Sequence, residues 1–449
     1  MSTVVTEQDP PEVRPQEPGA NAWNPFTRIA FRFFFVYLGL FCLSVSQLTL
    51  VFTGWFMISV PRGVQGWLER LLEPVLSWVG RTVFGVHDVR LSLSGSGDQR
   101  IDWVLACCVL VVALVATLVW SLLDRRRRDY RRLAGWSLVV LRLVLGAQLL
   151  FYGSVKLIPT QMPTPSLSTL LEPYGNFRPM GVLWSQVGSS HPYEMLLGLA
   201  EILAGLLLFV PRTALLGAML ALIDMALVFL LNMTFDVPVK ILSGHLLLMS
   251  LVLLAPEARR LVTVLLLDRT AGPSTSPYPF HTPRARRITA LVQVLLAIWV
   301  LLGFGHMQWR VWHESGGGRP KPALYGIWTV TRFVRDGQDV PPLVTDRERW
   351  YRVVFDYVGA LEFQHMDGTL DGVLATTDPA THRITLQPKS KTSSLTGVLT
   401  YRQPAPGRAV LVGELNGHQV SIDLQHFDAD RLPLRSTGFH WVQNLPEPG

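Results

Sequence analysis

Six polar residues stand inside otherwise apolar runs of this chain: Arg142, Lys156, Glu201, Asp224, Lys240 and His245. Carboxylates, an imidazole and an ammonium in a dry site can exchange protons with a head group such as a quinone. The same groups can instead form an internal ion-pair network that fixes helix register, with Lys156 paired to Glu201 or to Asp224. Placing charge within an apolar run is costly enough that such residues face a helical interior or a cavity rather than lipid.

Their spacing supports this. Arg142, Gly146, Leu149, Gly153 and Lys156 recur at intervals of four and three residues, which puts them on one stripe of a helix. Glu194, Gly198, Glu201 and Gly205 repeat the pattern on the next apolar run, followed by Gly217, Ala221 and Asp224, and then by Lys240, Gly244 and His245. Small residues let membrane helices approach closely, so four consecutive helices are expected to face one another through these stripes. Glu201, Asp224 and His245 each fall six or seven residues inside the same end of their runs, a depth of roughly 9–10 Å. Lys156 and Lys240 lie at that end as well, and one shared cluster is expected there. Arg142 lies roughly 24 Å from that end by the same rise and stands apart.

The elements that carry these residues follow from composition. Apolar residues make up 49% of the 449, charged residues only 16%, and mean hydropathy is +0.30. That balance suits a multi-pass membrane protein with a soluble appendage. Seven apolar runs are long enough to serve as helices: about 33–60, 103–123, 133–158, 195–210, 212–231, 240–255 and 289–306. The loop DRRRRDYRR and the segment after the sixth run are rich in arginine. This places both in the cytoplasm, with the N-terminus inside and the C-terminus outside a bacterial inner membrane. Only the loop 61–102 dissents, and its apolar Trp67, Leu68, Leu71, Leu72, Val75 and Leu76 at helical spacing suit a helix lying flat in the headgroup region or packed on the bundle. Residues 1–27, rich in Pro and polar side chains, read as a disordered tail.

After the linker GGGRPKP the pattern changes to short alternating runs punctuated by Asp-Gly, Pro-Gly and Asn-Gly. Residues 321–449 therefore predict an antiparallel sandwich or barrel of eight or nine strands. The division is 1–27 tail, 28–134 two helices with the amphipathic loop helix, 135–260 four-helix unit, 261–315 loop and seventh helix, and 321–449 barrel.

Several chemistries have no motif. Cys42, Cys107 and Cys108 lie in apolar runs without dithiol or zinc spacing, so no metal site is expected. His191, His245 and His306 show no haem-ligand spacing. There is no nucleophile elbow, phosphate loop or nucleic-acid motif.

The run with Arg142, Gly146, Gly153, Lys156 and Leu157, followed by GLAEILAGLLL with Gly198, Glu201 and Gly205, resembles the DoxX family of bacterial membrane proteins. PVKILSGHLLLMSLVLLAPEARR is similar to that family's closing helix. The resemblance covers about 135–260. It implies a four-helix membrane bundle and, for some members, work in redox or oxidative-stress complexes that pass electrons to quinone. This chain adds two helices before that unit, one after it and a barrel, and it carries Asp224 where an apolar or small residue is expected. In the last domain, Gly326-Ile327-Trp328 resembles the lipocalin G-x-W. That resemblance implies that Trp328 closes one barrel end beneath an arginine of the last strand, for which Arg435 is the candidate. A barrel of this kind either holds a small apolar ligand in its mouth or is fully packed.

Three functions therefore stand open: an accessory redox component that interacts with quinone and a redox partner protein, a carrier of a lipid-like ligand, or a structural subunit of a membrane complex. Each has the lipid bilayer as its surroundings, none engages nucleic acid, and none makes the chain a self-contained enzyme. The chain itself specifies no cofactor; quinone is the one the polar cluster would suit.

Overall fold

A computed structural model describes residues 23–442 except 62, 65, 93, 275, 390–394 and 439. Residues 1–22 of the expected tail lie outside the described residues. The helices in chain order are α1 (Pro25–Ser44), α2 (Ser46–Leu50), α3 (Trp67–Val83), α4 (Arg100–Leu123), α5 (Arg131–Leu157), α6 (Pro179–Gly188), α7 (His191–Phe209), α8 (Ala214–Thr234), α9 (Lys240–Leu254), α10 (Ala258–Leu265), α11 (Pro283–Glu314) and α12 (Pro433–Ser436). Among the described residues seven helices are long and apolar enough to cross a membrane: α1, α4, α5, α7, α8, α9 continuing into α10, and α11. They match the seven apolar runs in number and order.

The first run differs in its bounds. α1 begins at Pro25, capped by the Asn24 side chain accepting from the Thr27 N–H at 2.6 Å, and it ends where Val45 becomes extended. The run starts later in the sequence because Arg32 looks like a boundary. In the fold Arg32 is buried, and its guanidinium donates to the Tyr130 hydroxyl (2.7 and 3.0 Å), to Ser121 (2.9 Å) and to the Asp124 carbonyl (2.9 Å). A buried arginine with all three of its nitrogens hydrogen-bonded no longer breaks a span. The second half of the run, 51–59, forms a 3-10 stretch that turns at Gly54. Gly54 has φ +53, and a Cβ there would meet the Trp299 ring at 2.5 Å, so the bend depends on glycine.

The amphipathic segment is helical as expected. Trp67, Leu71, Val75 and Trp78 form an exposed stripe on α3 while Leu76 and Gly80 are buried. The Glu69 carboxylate ties α3 to α2 by accepting from the Ser46 N–H at 2.8 Å and from its hydroxyl.

The C-terminal part is a closed antiparallel barrel of eight strands: β1 (Gly326–Arg335), β3 (Trp350–Phe355), β4 (Gly359–His365), β5 (Leu370–Asp378), β6 (Arg383–Pro388), β7 (Gly397–Ala405), β8 (Arg408–Leu415) and β9 (His418–Phe427). Each pairs with the next, and β1 closes the ring on β9 from Ile327↔Phe427 to Arg335↔Val420. A two-residue strand, β2 (Gln338–Asp339), folds back on the end of β1. The Asp336-Gly337 and Asn416-Gly417 turns have positive φ at both residues, the primed hairpin geometry their dipeptides predict.

One alternative for the barrel is decided and one expectation is corrected. Its interior is a packed apolar core in which Trp328, Trp350, Leu361, Phe363, Leu399 and Ile422 are all 3% exposed or less. Of the two interiors left open by the sequence, this is the packed one, as in small eight-stranded barrels generally. Arg435 is not on the last strand. The chain turns away after β9, and Arg435 sits in α12, paired with Asp430 at 3.0 Å. The neighbour of the Trp328 ring is His426 of β9, edge-on at 5.2 Å, while the indole N–H donates to the Leu324 carbonyl at 2.8 Å.

The segment between α5 and α6 anchors to the barrel. Leu167 packs with Ile327 and Val354, its N–H donates to Asp356 at 2.8 Å, and Arg319 pairs with the other Asp356 oxygen.

Candidate functional site

Close approach of α5 and α7 comes first. A Cβ on Gly198 would lie 2.5 Å from the Leu157 nitrogen, and one on Gly153 would lie 2.7 Å from the Gly198 carbonyl oxygen. Gly146 meets Phe209 and Gly205 in the same manner. The stripes thus do what small residues do between membrane helices. At this contact Lys156 Nζ lies 2.5 Å from Glu201 Oε1, with the two residues 6% and 1% exposed. Of the two partners the sequence leaves open for Lys156, Glu201 takes the place. Glu194, two turns earlier on α7, is fully buried, and one of its oxygens accepts from the Met162 N–H at 3.0 Å. The second oxygen of Glu194 and the second oxygen of Glu201 are both buried and have no hydrogen-bond partner among the described residues.

Other members of the expected set have partners of their own. His245 stacks on Phe41 of α1 with ring centroids 3.6 Å apart and planes 4° from parallel. Its Nδ1 lies 2.6 Å from the Ile241 carbonyl and its Nε2 lies 2.8 Å from the Tyr37 hydroxyl. A carbonyl only accepts, so the proton sits on Nδ1 and the neutral ring's Nε2 accepts from Tyr37. Lys240 pairs with Asp98 at 3.8 Å, and Asp98 also accepts the N–H groups of Lys240 and Ile241 at the start of α9. Asp224 is half-buried on α8. Arg142 is 7% exposed and donates to the Gln293 side-chain oxygen on α11. Partners for three of the six thus come from α1, the segment before α4, and α11, outside the four helices whose stripes suggested a closed set.

Glu194 is the residue that the expected pocket omitted. Its position on the α7 stripe carried the signal, but its place at the very start of the apolar run made it look like a boundary residue.

A cavity of about 940 Å³ opens beside Arg142, walled by α5, the α7–α8 turn, the end of α9, Ser274, Ser276, Pro277 and Tyr278, and the start of α11. Among the described residues no group of three or more His, Cys, Asp or Glu side chains is placed to hold a metal ion.

No family model matches this chain. No solved structure matches it. A Bacillus subtilis (strain 168) protein, Uncharacterized protein YwoB, is 34% identical over 125 residues, which is 27% of this chain and 78% of that protein. The chain belongs to the YwoB family. That kinship assigns no chemistry, since the name of YwoB states none, and most of this chain lies outside the match. In this YwoB-family member the chemistry must be read from the groups themselves. Of the two buried carboxyl groups on α7, Glu201 is paired with the Lys156 ammonium, whereas Glu194 is met by the Met162 N–H. Such a set can hold and pass a proton.

Proposed function

We propose that this chain is an accessory, DoxX-like component of a bacterial inner-membrane complex. Its polar site at Lys156, Glu201 and Glu194 handles protons for a quinone-like head group. One observation carries this: Glu201 and Glu194 each keep a buried oxygen with no partner among the described residues. A pair retained only to fix helix register would be expected to have its oxygens satisfied, because leaving a buried acceptor unmade costs about 1–3 kcal/mol and more for a charged group. A spare carboxyl oxygen can donate a proton to a quinone carbonyl or accept one from a quinol hydroxyl. Reduction of a quinone takes two electrons and two protons. The electrons must come from a partner protein with a redox centre, since no flavin, iron–sulfur or haem motif is present in the sequence. In the orientation set by arginine placement, the amino terminus is cytoplasmic and both the polar site and the barrel belong to the outer side. The barrel, packed throughout, serves as a docking or bracing module rather than a carrier. Extraction of small molecules from the purified protein, with mass spectrometry, tests the proposal. A quinone bound to the native chain supports it, and a ligand-free protein purified from quinone-containing membranes overturns it.

A further inference from the structure

The cavity beside Arg142 is unused by that function. Among the described residues five arginines line it, Arg142, Arg212, Arg260, Arg286 and Arg287, against one carboxylate, Glu257. Glu257 is already engaged by Arg260 at 3.3 Å and by the hydroxyls of Ser274 and Ser276. The rest of the wall is apolar and includes Leu138, Val139, Leu208, Leu215 and Leu253. Its volume of about 940 Å³ falls within the range of small-molecule sites, roughly 300–1,000 Å³.

Arginines at helix ends are ordinarily explained by membrane topology, and the exposed Arg212, Arg286 and Arg287 alone would need nothing further. Arg142 does not fit that explanation. It lies eleven residues into α5, about 16 Å along the helix, and is more than nine-tenths buried. Among the described residues its hydrogen-bonding partner is the neutral amide of Gln293, and its buried Nε has none. The Gln293 side-chain nitrogen and the Tyr278 hydroxyl are likewise buried and have no partner among the described residues. The three unmet groups can all donate. Buried donors in a folded protein are nearly always met, so donors left open beside a cationic cavity mark the place of a ligand's acceptor oxygens.

We propose that this cavity binds an amphiphile through a phosphate-monoester head group, seated on Arg142 and rimmed by Arg212, Arg286 and Arg287, with its hydrocarbon against the apolar wall. The arginine fork matches phosphate oxygens in pairs, and several cations around one site favour a dianion over a zwitterion. The mixed wall favours a head group with a tail over a free anion. The outer polar site plays no part in this, so either proposal can fail without the other.

The experiment follows thermal unfolding of the full chain in a neutral detergent, using three probes: dihexanoyl phosphatidic acid, inorganic phosphate and dihexanoyl phosphatidylcholine. Phosphatidic acid should raise the midpoint in a saturable way, phosphate should need at least tenfold higher concentration, and phosphatidylcholine should leave the midpoint unchanged. Arg142→Gln should weaken phosphatidic acid binding roughly ten- to hundredfold, the scale of a charge-assisted hydrogen bond set in partly buried surroundings. Should that variant fail to fold, the exposed double variant Arg212→Gln/Arg287→Gln should still weaken it at least severalfold. An equal response to phosphatidylcholine, no response to phosphatidic acid, or unchanged binding in the folded variants overturns the proposal. Phosphate acting as well as phosphatidic acid overturns the amphiphile and leaves a soluble phosphate ester as the source of the group.

Discussion

Replacing Lys156 by Met tests whether the buried pair is a coupled unit. Lys156 Nζ and Glu201 Oε1 are 2.5 Å apart, with side chains 8% and 2% exposed. At that separation the attraction is roughly 7 kcal/mol at an effective dielectric of about 20, before desolvation of both groups is subtracted. Removing one member leaves the other uncompensated, which costs about 3–5 kcal/mol. Lys156→Met leaves Glu201 as well as Glu194 without an ammonium, so it should fall in the upper part of that range. Glu201→Gln leaves the ammonium buried and should fall in the lower part. The double variant replaces the ionic pair by neutral groups of similar shape, and such replacements are often neutral or stabilising. It should therefore lie within about 1–2 kcal/mol of the native chain, giving a coupling of at least about 4 kcal/mol in a double-mutant cycle. The assay is reversible unfolding in detergent by denaturant, followed by tryptophan fluorescence. Single variants indistinguishable from the native chain, or costs that add in the double variant, would refute the reasoning.

Three further outcomes are expected elsewhere in the fold. Gly198→Ala puts a methyl 2.5 Å from the Leu157 nitrogen, so the backbone must move; the same unfolding assay should show a loss of about 3 kcal/mol or more, and a neutral result would deny the close approach of α5 and α7. Asp356→Ala removes the acceptor of the Leu167 N–H and the partner of Arg319. It should cost about 3 kcal/mol and speed hydrogen exchange across 165–172, whereas unchanged exchange there would deny the anchor. The Asp367 carboxyl is held below its ordinary range by the Thr369 hydroxyl and N–H, and the Asp378 carboxyl by the Thr381 hydroxyl and the Ala380 N–H. The folded state therefore binds protons later than the unfolded chain as pH falls. Its stabilisation is complete above about pH 4 and is lost as pH drops through the folded values. Asp367→Asn/Asp378→Asn should flatten this acid limb of barrel unfolding, and an unchanged limb would assign it to other groups.

The seven helices were legible because an apolar run of that length has one physical solution in a bilayer, and the barrel because Asp-Gly and Asn-Gly favour the turns that close hairpins. The start of α1 was not legible. Arg32 reads as a break until Tyr130, Ser121 and Asp124, about ninety residues away, supply its partners. The Lys156–Glu201 pair was legible from stripes of charged and small residues, since glycine at three- and four-residue spacing predicts which faces meet. The surroundings of His245 were not, because Tyr37 and Phe41 lie in an aromatic-rich run where nothing marks the two that stack or bond. Gln293 was equally silent as a lone amide in the apolar stretch of α11. The cavity beside Arg142 needs five separate segments to form, and no local pattern encodes such a meeting. Trp328 kept its buried place at the start of β1, but Arg435 did not reach it, because two short turns after β9 carry the chain away.

The most direct test of the proposed function compares small molecules extracted from the native chain and from the Lys156→Met/Glu201→Gln double variant, both purified from the same membranes and quantified by mass spectrometry. The double variant is expected to keep the fold while lacking the ionisable pair that would hold the head group. The account predicts near-stoichiometric quinone in the native protein and at least a tenfold loss in the folded double variant. Equal quinone in both, or none in the native protein, would contradict it.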